Sequence, residues 1–479
     1  MIDFCDSVAT PSPTMSRRSW LRIGSMASLG MLANPADPSI AAVATTANRS
    51  ACFGKAKSII FVFVAGGQSQ IDMWDPKPDA PSHVRGDFRA LSTAVPGLAF
   101  TEHMPQLAQV ADRLTIVRSL SHEDLEHGSA TYLTLTGRYH PRRTSNPPVS
   151  PADFPSYGAV LKKASPQNRF LFDAVNVNGP VLVPFYVSPG QNGGFLGRRM
   201  EPVVIGDVTE RVSAFPGLGP RSDLPTVRID ERQSLKSALN QFARDLETNQ
   251  RARDLGHLYR QAEEMLADSR CREAFDLEQE PVSLRERYGQ HRSGQSCLLA
   301  RRLVEAGVPL ITVFWNHSNR GQDRQPDDTD WYGWDTHNDI FAAMKKHLLP
   351  RFDESFSALI ADLDQRGLLD ETLVVCLGEF GRAPRIALEK SFIGTSPGRK
   401  HWSAVYSGVF AGAGVQRGAV VGESDRFGAE PATERIAPWD VAATMFNSLG
   451  VQPTSHFSDA LNRPFAVSEG VPIKKLFTS

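Results

Sequence analysis

From residue 58 to 65 the chain reads Ser-Ile-Ile-Phe-Val-Phe-Val-Ala and then breaks at Gly66-Gly67. An unbroken β-branched and aromatic run closed by glycine predicts a strand buried on both faces, as inside a parallel sheet. Similar runs predict strands at 114–118, 309–315, 372–377 and 407–411. Apolar positions recur with helical period over 285–306 and 339–366. Strands alternating with helices predict an α/β fold, a three-layer sandwich around a mainly parallel central sheet. Residues 233–275 are polar and helical in period with no strand signal, and they read as a helical insertion or cap. The stretch 139–156, rich in Pro, Ser and Arg, reads as an irregular loop.

The first 44 residues do not fit this pattern. Arg17-Arg18 is followed by Trp20-Leu21, a modest apolar run over 23–33, and Ala42-Val43-Ala44 with small residues where a signal peptidase cuts. These three features in order predict a twin-arginine export signal over 1–44, and with it a periplasmic or otherwise exported protein. Cys5 would leave with that signal. Cys52, Cys271, Cys297 and Cys376 remain, in a spacing that matches neither a zinc ribbon nor a thioredoxin motif. Cys376 lies in a strand pattern and reads as a packed thiol, and a Cys271–Cys297 bridge stays open.

Composition narrows the function. With 52 Lys+Arg against 53 Asp+Glu the formal charge is −1, so no basic excess supports phosphate-driven nucleic-acid binding. No stretch of 18 or more apolar residues suggests a membrane span.

In open α/β sheets ligands bind beyond the carboxyl ends of the strands. Here those ends carry the polar chemistry. The first strand runs into Ser69 and Asp72, the second into His122 and His127, the third into a loop ending Asp335-Thr336-His337, and the fourth into Glu379 and Arg382. His401 arrives just before the fifth. Imidazoles and carboxylates from several strand ends can together hold a divalent cation. The expected ligands are Asp72, His127, Asp335, His337, Glu379 and His401. Ser69, exposed by the glycine pair, is a candidate nucleophile, with capping of the following turn as its structural alternative. His122 is a candidate ligand or proton donor, and Arg382 a candidate partner for an anionic group. Asp75, before Pro76, reads as a turn-ordering residue.

These segments also resemble a family. Residues 368–381, Leu-Leu-Asp-Glu-Thr-Leu-Val-Val through Glu379-Phe380-Gly381, are similar to the G-L-x-D-x-T-L-V-V … D-H-G stretch of sulfatases and other alkaline-phosphatase-superfamily hydrolases. Leu135-Thr136-Gly137-Arg138 resembles the sulfatase L-T-G-R signature, and 438–451 resembles D-I-x-P-T-L-L-x-L-x-G-I. The segments G-G-x-S-x-x-D-x-x-D-P-K-P, H-x4-H-G, W-D-T-H and G-E-F-G-R identify the chain as a member of a bacterial, twin-arginine-exported, sulfatase-like family of unknown function, of DUF1501 type. The resemblance runs from 58 to 451, leaving 452–479 as a C-terminal tail. It implies an alkaline-phosphatase-like fold.

The departures are specific. His127 stands where sulfatases carry the formylglycine-forming Cys or Ser, so ordinary sulfatase chemistry is not implied. Glu379-Phe380-Gly381 replaces Asp-His-Gly, removing one metal-binding imidazole. Gln70 stands where the family commonly has His, and Lys400 where it has Asp before His401. The resemblance with the strand-end residues implies a metal-dependent hydrolase of a phosphate or sulfate ester. Its metal would be zinc-like or manganese-like rather than calcium, because the set is rich in His. The expected partners are an anionic ester, including a sulfated polysaccharide, and the twin-arginine export machinery. The alternatives are a non-catalytic relative binding anionic polysaccharide and a structural partner of a surface protein.

Overall fold

The computed structural model describes residues 52–164, 172–183, 186–209, 273–318 and 333–477. The expected signal segment and nearly all of the 233–275 insertion lie outside the described residues, as does Cys271.

Eight strands form one sheet: β1 (Ser58–Phe63), β2 (Thr115–Leu120), β3 (Ala174–Val177), β4 (Val203–Ile205), β5 (Leu310–Phe314), β6 (Thr372–Leu377), β7 (Tyr406–Ala411) and β8 (Ala419–Val421), in the order β8-β2-β7-β6-β1-β5-β3-β4. β1 lies at the centre, parallel to both neighbours, with Phe61 opposite Thr312 and Val375. Only β7 runs against the rest, antiparallel to β2 and β6. The five expected strands all form. β3, β4 and β8 are additions that complete one flank and the opposite edge.

The unbroken apolar run of β1 reflects cover on both faces. Ile60 and Val62 enter one core with Leu298, Leu303, Phe352 and Phe356. Ile59, Phe61 and Phe63 enter the other with Tyr132, Tyr157, Val160 and Phe446. The first cover consists of α3 (Arg292–Glu305) and α4 (Leu349–Gln365). The second consists of α1 (His127–Thr136), α2 (Tyr157–Ala164) and α5 (Pro438–Ser448). Helices on both faces of a mainly parallel sheet make the three-layer α/β sandwich.

Several expectations change in detail. The single helix expected over 285–306 is two, Val282–Arg287 and α3. Gly289 takes φ 87 between them, and His291 Nδ1 accepts from Gly294 N to cap α3. The helix expected over 339–366 passes through a π-helical turn at Met344–Leu348 just before Pro350. Proline lacks the N–H that an α-helical turn needs there. Within the C-terminal tail, Phe457, Val467, Ile473, Leu476 and Phe477 are buried in the second core. Cys297 is a buried free thiol, and Cys376 is buried within β6.

Candidate metal centre

The carboxyl ends of the parallel strands share one edge of the sheet. Because β7 runs in reverse, the segment preceding it begins at that same edge and delivers His401. Residues His401–Trp402 pair antiparallel with Gly381–Arg382, which follow β6. Gly66, beyond β1, has φ 116, and a Cβ there would stand 2.4 Å from the Asp335 backbone nitrogen. Glycine is therefore required for the Trp334–Asp335 segment to lie against the end of β1.

Four of the expected ligands meet at this edge. One donor atom each from His127, Asp335, His337 and His401 lies within 4.8 Å of all the others. Asp335 is the hub. His127 Nε2 is 3.1 Å from its Oδ2, while His337 Nε2 and His401 Nε2 are 3.0 and 3.3 Å from its Oδ1. The Nε2 atoms of His337 and His401 face each other at 3.0 Å.

The far sides of two rings decide what those nitrogens present. His401 Nδ1 is 2.7 Å from Leu125 O, an acceptor only, so Nδ1 holds the proton and Nε2 offers a lone pair. His127 Nδ1 is 2.6 Å from Glu379 Oε1 and donates to it in the same way. Burial, with the His127 charge beside it, lowers His401 to about 3. Burial also lowers His337. Burial would depress His127 too, but Asp335 and Glu379 outweigh it and raise it to about 9. Burial disfavours charge on Asp335, yet His127 and Arg382 hold it well below the usual carboxylate range. Burial thus favours neutral His337 and His401, whereas His127 carries a charge against Asp335, and a bound cation would take the place of its Nε2 proton. Three imidazoles and one carboxylate suit a transition-type divalent ion. The residues present fit a metal.

The other candidates frame this cluster. Glu379 is fully buried, and its two oxygens accept from Gly66 N at 2.8 and 3.0 Å while Oε1 holds His127. It orients a ligand from behind. Asp72 does not reach the cluster: its carboxylate is bidentate on Arg399, 2.7 Å to Nε and 3.0 Å to Nη2. Ser69 Oγ donates to Asp72 Oδ2 at 2.5 Å and accepts from Asp72 N at 3.3 Å, the capping alternative. His122 Nδ1 accepts from Asp124 N, so Nε2 carries the proton and donates to Glu379 O at 2.6 Å. Burial brings His122 down to about 4, fixing it neutral.

Arg382 is fully buried and spends its donors inside the protein. They go to Gly66 O, to Gly67 O at 2.9 Å, to Arg399 O at 3.2 Å and to Asp335 Oδ1 at 2.8 Å. It neutralises the hub carboxylate. Gln70 bridges Arg382 N, Arg382 O and Gly428 O. Lys400 Nζ is 3.2 Å from Glu389, on the surface. Asp75 is held by Lys77, Arg118 and Ser424. Arg399, Asn338 and Phe392 escaped sequence reasoning. Only Arg399 left a signal, its place between Gly398 and Lys400, two residues before His401.

The sheet and its strand-end imidazole–carboxylate cluster define an α/β protein with a candidate metal centre. Within that class, the chain belongs to the family described as "Protein of unknown function (DUF1501)", whose model matches residues 56–477. Among solved structures it is similar to the phosphonate monoester hydrolase SpPMH from Silicibacter pomeroyi, at 12% identity and TM-score 0.39, covering 88% of this chain and 77% of that one. It is also similar to the PsFucS1 sulfatase from Pseudoalteromonas sp., at 15% identity and TM-score 0.36, covering 82% and 68%. A third is the lipoteichoic acid synthase LtaP from Listeria monocytogenes, at 11% identity and TM-score 0.35, covering 84% and 74%. Comparison with curated proteins finds no match.

Proposed function

We propose that this protein is an exported, divalent-metal-dependent hydrolase of a phosphate or sulfate ester that works without a formylglycine nucleophile. The observation that carries the reading is the convergence of three imidazole Nε2 atoms on Asp335 at the carboxyl edge of the sheet. When bound, a divalent ion supplies Lewis-acid polarisation of an ester oxygen and acidification of water. Imidazole donors favour a zinc-like or manganese-like ion over calcium.

The chain's own residues orient two of the three rings. Leu125 O and Glu379 keep the protons of His401 and His127 on Nδ1. Arg382 offsets the charge of Asp335, so its guanidinium is not available to the transferred group. Ser69 gives its hydroxyl to Asp72, and water remains as the nucleophile. With a formal charge of −1, affinity for an anionic ester, including one on a sulfated polysaccharide, must come from the site. The Arg17-Arg18 segment supports delivery to the periplasm by the twin-arginine machinery.

The commitment of Ser69 and Arg382 to the frame also favours a second reading, a non-catalytic protein that binds anionic polysaccharide in the same cleft. Chelator-stripped protein, reloaded with zinc or manganese, should be assayed on aryl phosphates, aryl sulfates and phosphonate monoesters. Turnover that returns with metal and is lost in His337→Ala supports the hydrolase. Metal binding with no turnover, together with retention of a sulfated polysaccharide, favours the second reading. Protein that neither binds metal nor turns over any ester refutes the hydrolase.

A further inference from the structure

One ligand lacks the support its neighbours have. His127 and His401 each pass an Nδ1 proton to a fixed acceptor, whereas His337 Nδ1 is buried with no hydrogen-bond partner among the described residues. The His337 ring is instead covered by Phe392, with centroids 3.8 Å apart and planes within 7°. Phe392 itself is 43% exposed, so burial alone does not hold it there.

The loop that carries Phe392 is tied to the two residues that follow His337. Asn338 Nδ2 donates to the carbonyls of Glu389, Phe392 and Ile393 at 2.9, 3.1 and 3.3 Å, and its Oδ1 accepts from Glu389 N at 2.8 Å. Asp339, at φ 53, accepts from Thr395 N, Ser396 N and Ser396 Oγ. Contact is close along the seam. A Cβ on Gly394 would stand 2.5 Å from Asn338 Cβ, and one on Gly398 would stand 2.3 Å from His337 O. The loop and the segment after His337 are therefore joined by hydrogen bonds and close packing along the seam.

We propose that Phe392 is a positioning residue of the metal centre. Its ring, held flat on His337 by the Asn338–Asp339 clamp, sets the imidazole plane in place of the missing Nδ1 hydrogen bond. Nε2 then stays aimed at Asp335. The inference rests on the metal reading above. Outer partners of ligating histidines are commonly worth ~10–100-fold in metal affinity, and a flat stack that restricts ring rotation acts on the same degree of freedom.

The test is a zinc competition titration on the full chain against a chromophoric chelator, for wild type, Phe392→Ala, Phe392→Leu and Phe392→Tyr. The thermal midpoint of each metal-free protein is measured alongside. Leucine keeps apolar bulk in the loop but has no flat face, and tyrosine keeps the face. Both Ala and Leu variants should bind zinc at least ~10-fold more weakly at an unchanged metal-free midpoint, with Tyr within about threefold of wild type. Wild-type affinity in either the Ala or the Leu variant overturns the inference while leaving the metal reading intact. Zinc that fails to bind even the wild type overturns the metal reading, and the inference falls with it.

Discussion

Replacing Asp72 by asparagine preserves its volume and removes one charge from a pair whose two side chains are both fully buried. Arg399 would keep its bonds to Val84 O at 2.7 Å, Ala383 O at 3.2 Å and Pro384 O, and lose its one carboxylate partner among the described residues. Two unit charges about 4 Å apart interact by ~4 kcal/mol at an effective dielectric near 20. Breaking a buried pair by removing one partner costs ~3–5 kcal/mol, because the other charge stays behind unpaired. Asp72→Asn should therefore lose about 3–5 kcal/mol of stability in urea unfolding, with its metal content unchanged. In a double-mutant cycle with Arg399→Met, the double variant should cost less than the sum of the singles by at least ~1 kcal/mol. The refuting result is an asparagine variant that loses its metal at undiminished stability. Asp72 would then be a ligand and the pairing with Arg399 incidental.

Ser69→Ala removes both hydrogen bonds between Ser69 Oγ and Asp72, so it should cost about 1–3 kcal/mol and leave ester turnover within severalfold. A drop of several orders of magnitude would make Ser69 the nucleophile. Glu379→Gln leaves Gly66 N and His127 Nδ1 sharing one neutral acceptor, and competition titration should show metal affinity weaker by ~10–100-fold. Unchanged affinity would remove Glu379 from the supporting frame. His122 is brought by burial from 6.5 to about 4, so between those values the unfolded chain binds a proton that the native state refuses. Its contribution is complete above pH 6.5, declines as pH falls and levels off below about 4, for a total of about 3 kcal/mol. His122→Gln should flatten that part of a plot of unfolding free energy against pH, and an identical slope would contradict the assignment.

What could be read from sequence follows from how each residue is used. β1, β5 and β6 are buried at every position, so their apolar runs are unbroken and visible. β3 reads Ala-Val-Asn-Val, with buried Asn176 donating to Gln191 O, and β4 and β8 have three residues each, too few for a period. At the site, the strand-end rule brought His127, Asp335, His337 and His401 to one edge. It could not separate them from Asp72 and Glu379, carboxylates with nearly the same placement. What separates these is the partner behind each group. The partner of Asp72 is an arginine 327 positions away, and no local pattern announces it. Phe392 was hidden for the opposite reason: a lone aromatic in a polar loop shows nothing until His337 is beneath it.

The central claim is that His127, Asp335, His337 and His401 form a divalent-metal centre. Elemental analysis of the purified protein beside Asp335→Asn and His401→Ala tests it most directly. About one equivalent of a zinc-like or manganese-like ion is expected in the wild type, and its loss in both variants. Wild-type protein that stays metal-free after exposure to these ions, or variants that keep the full equivalent, would contradict it.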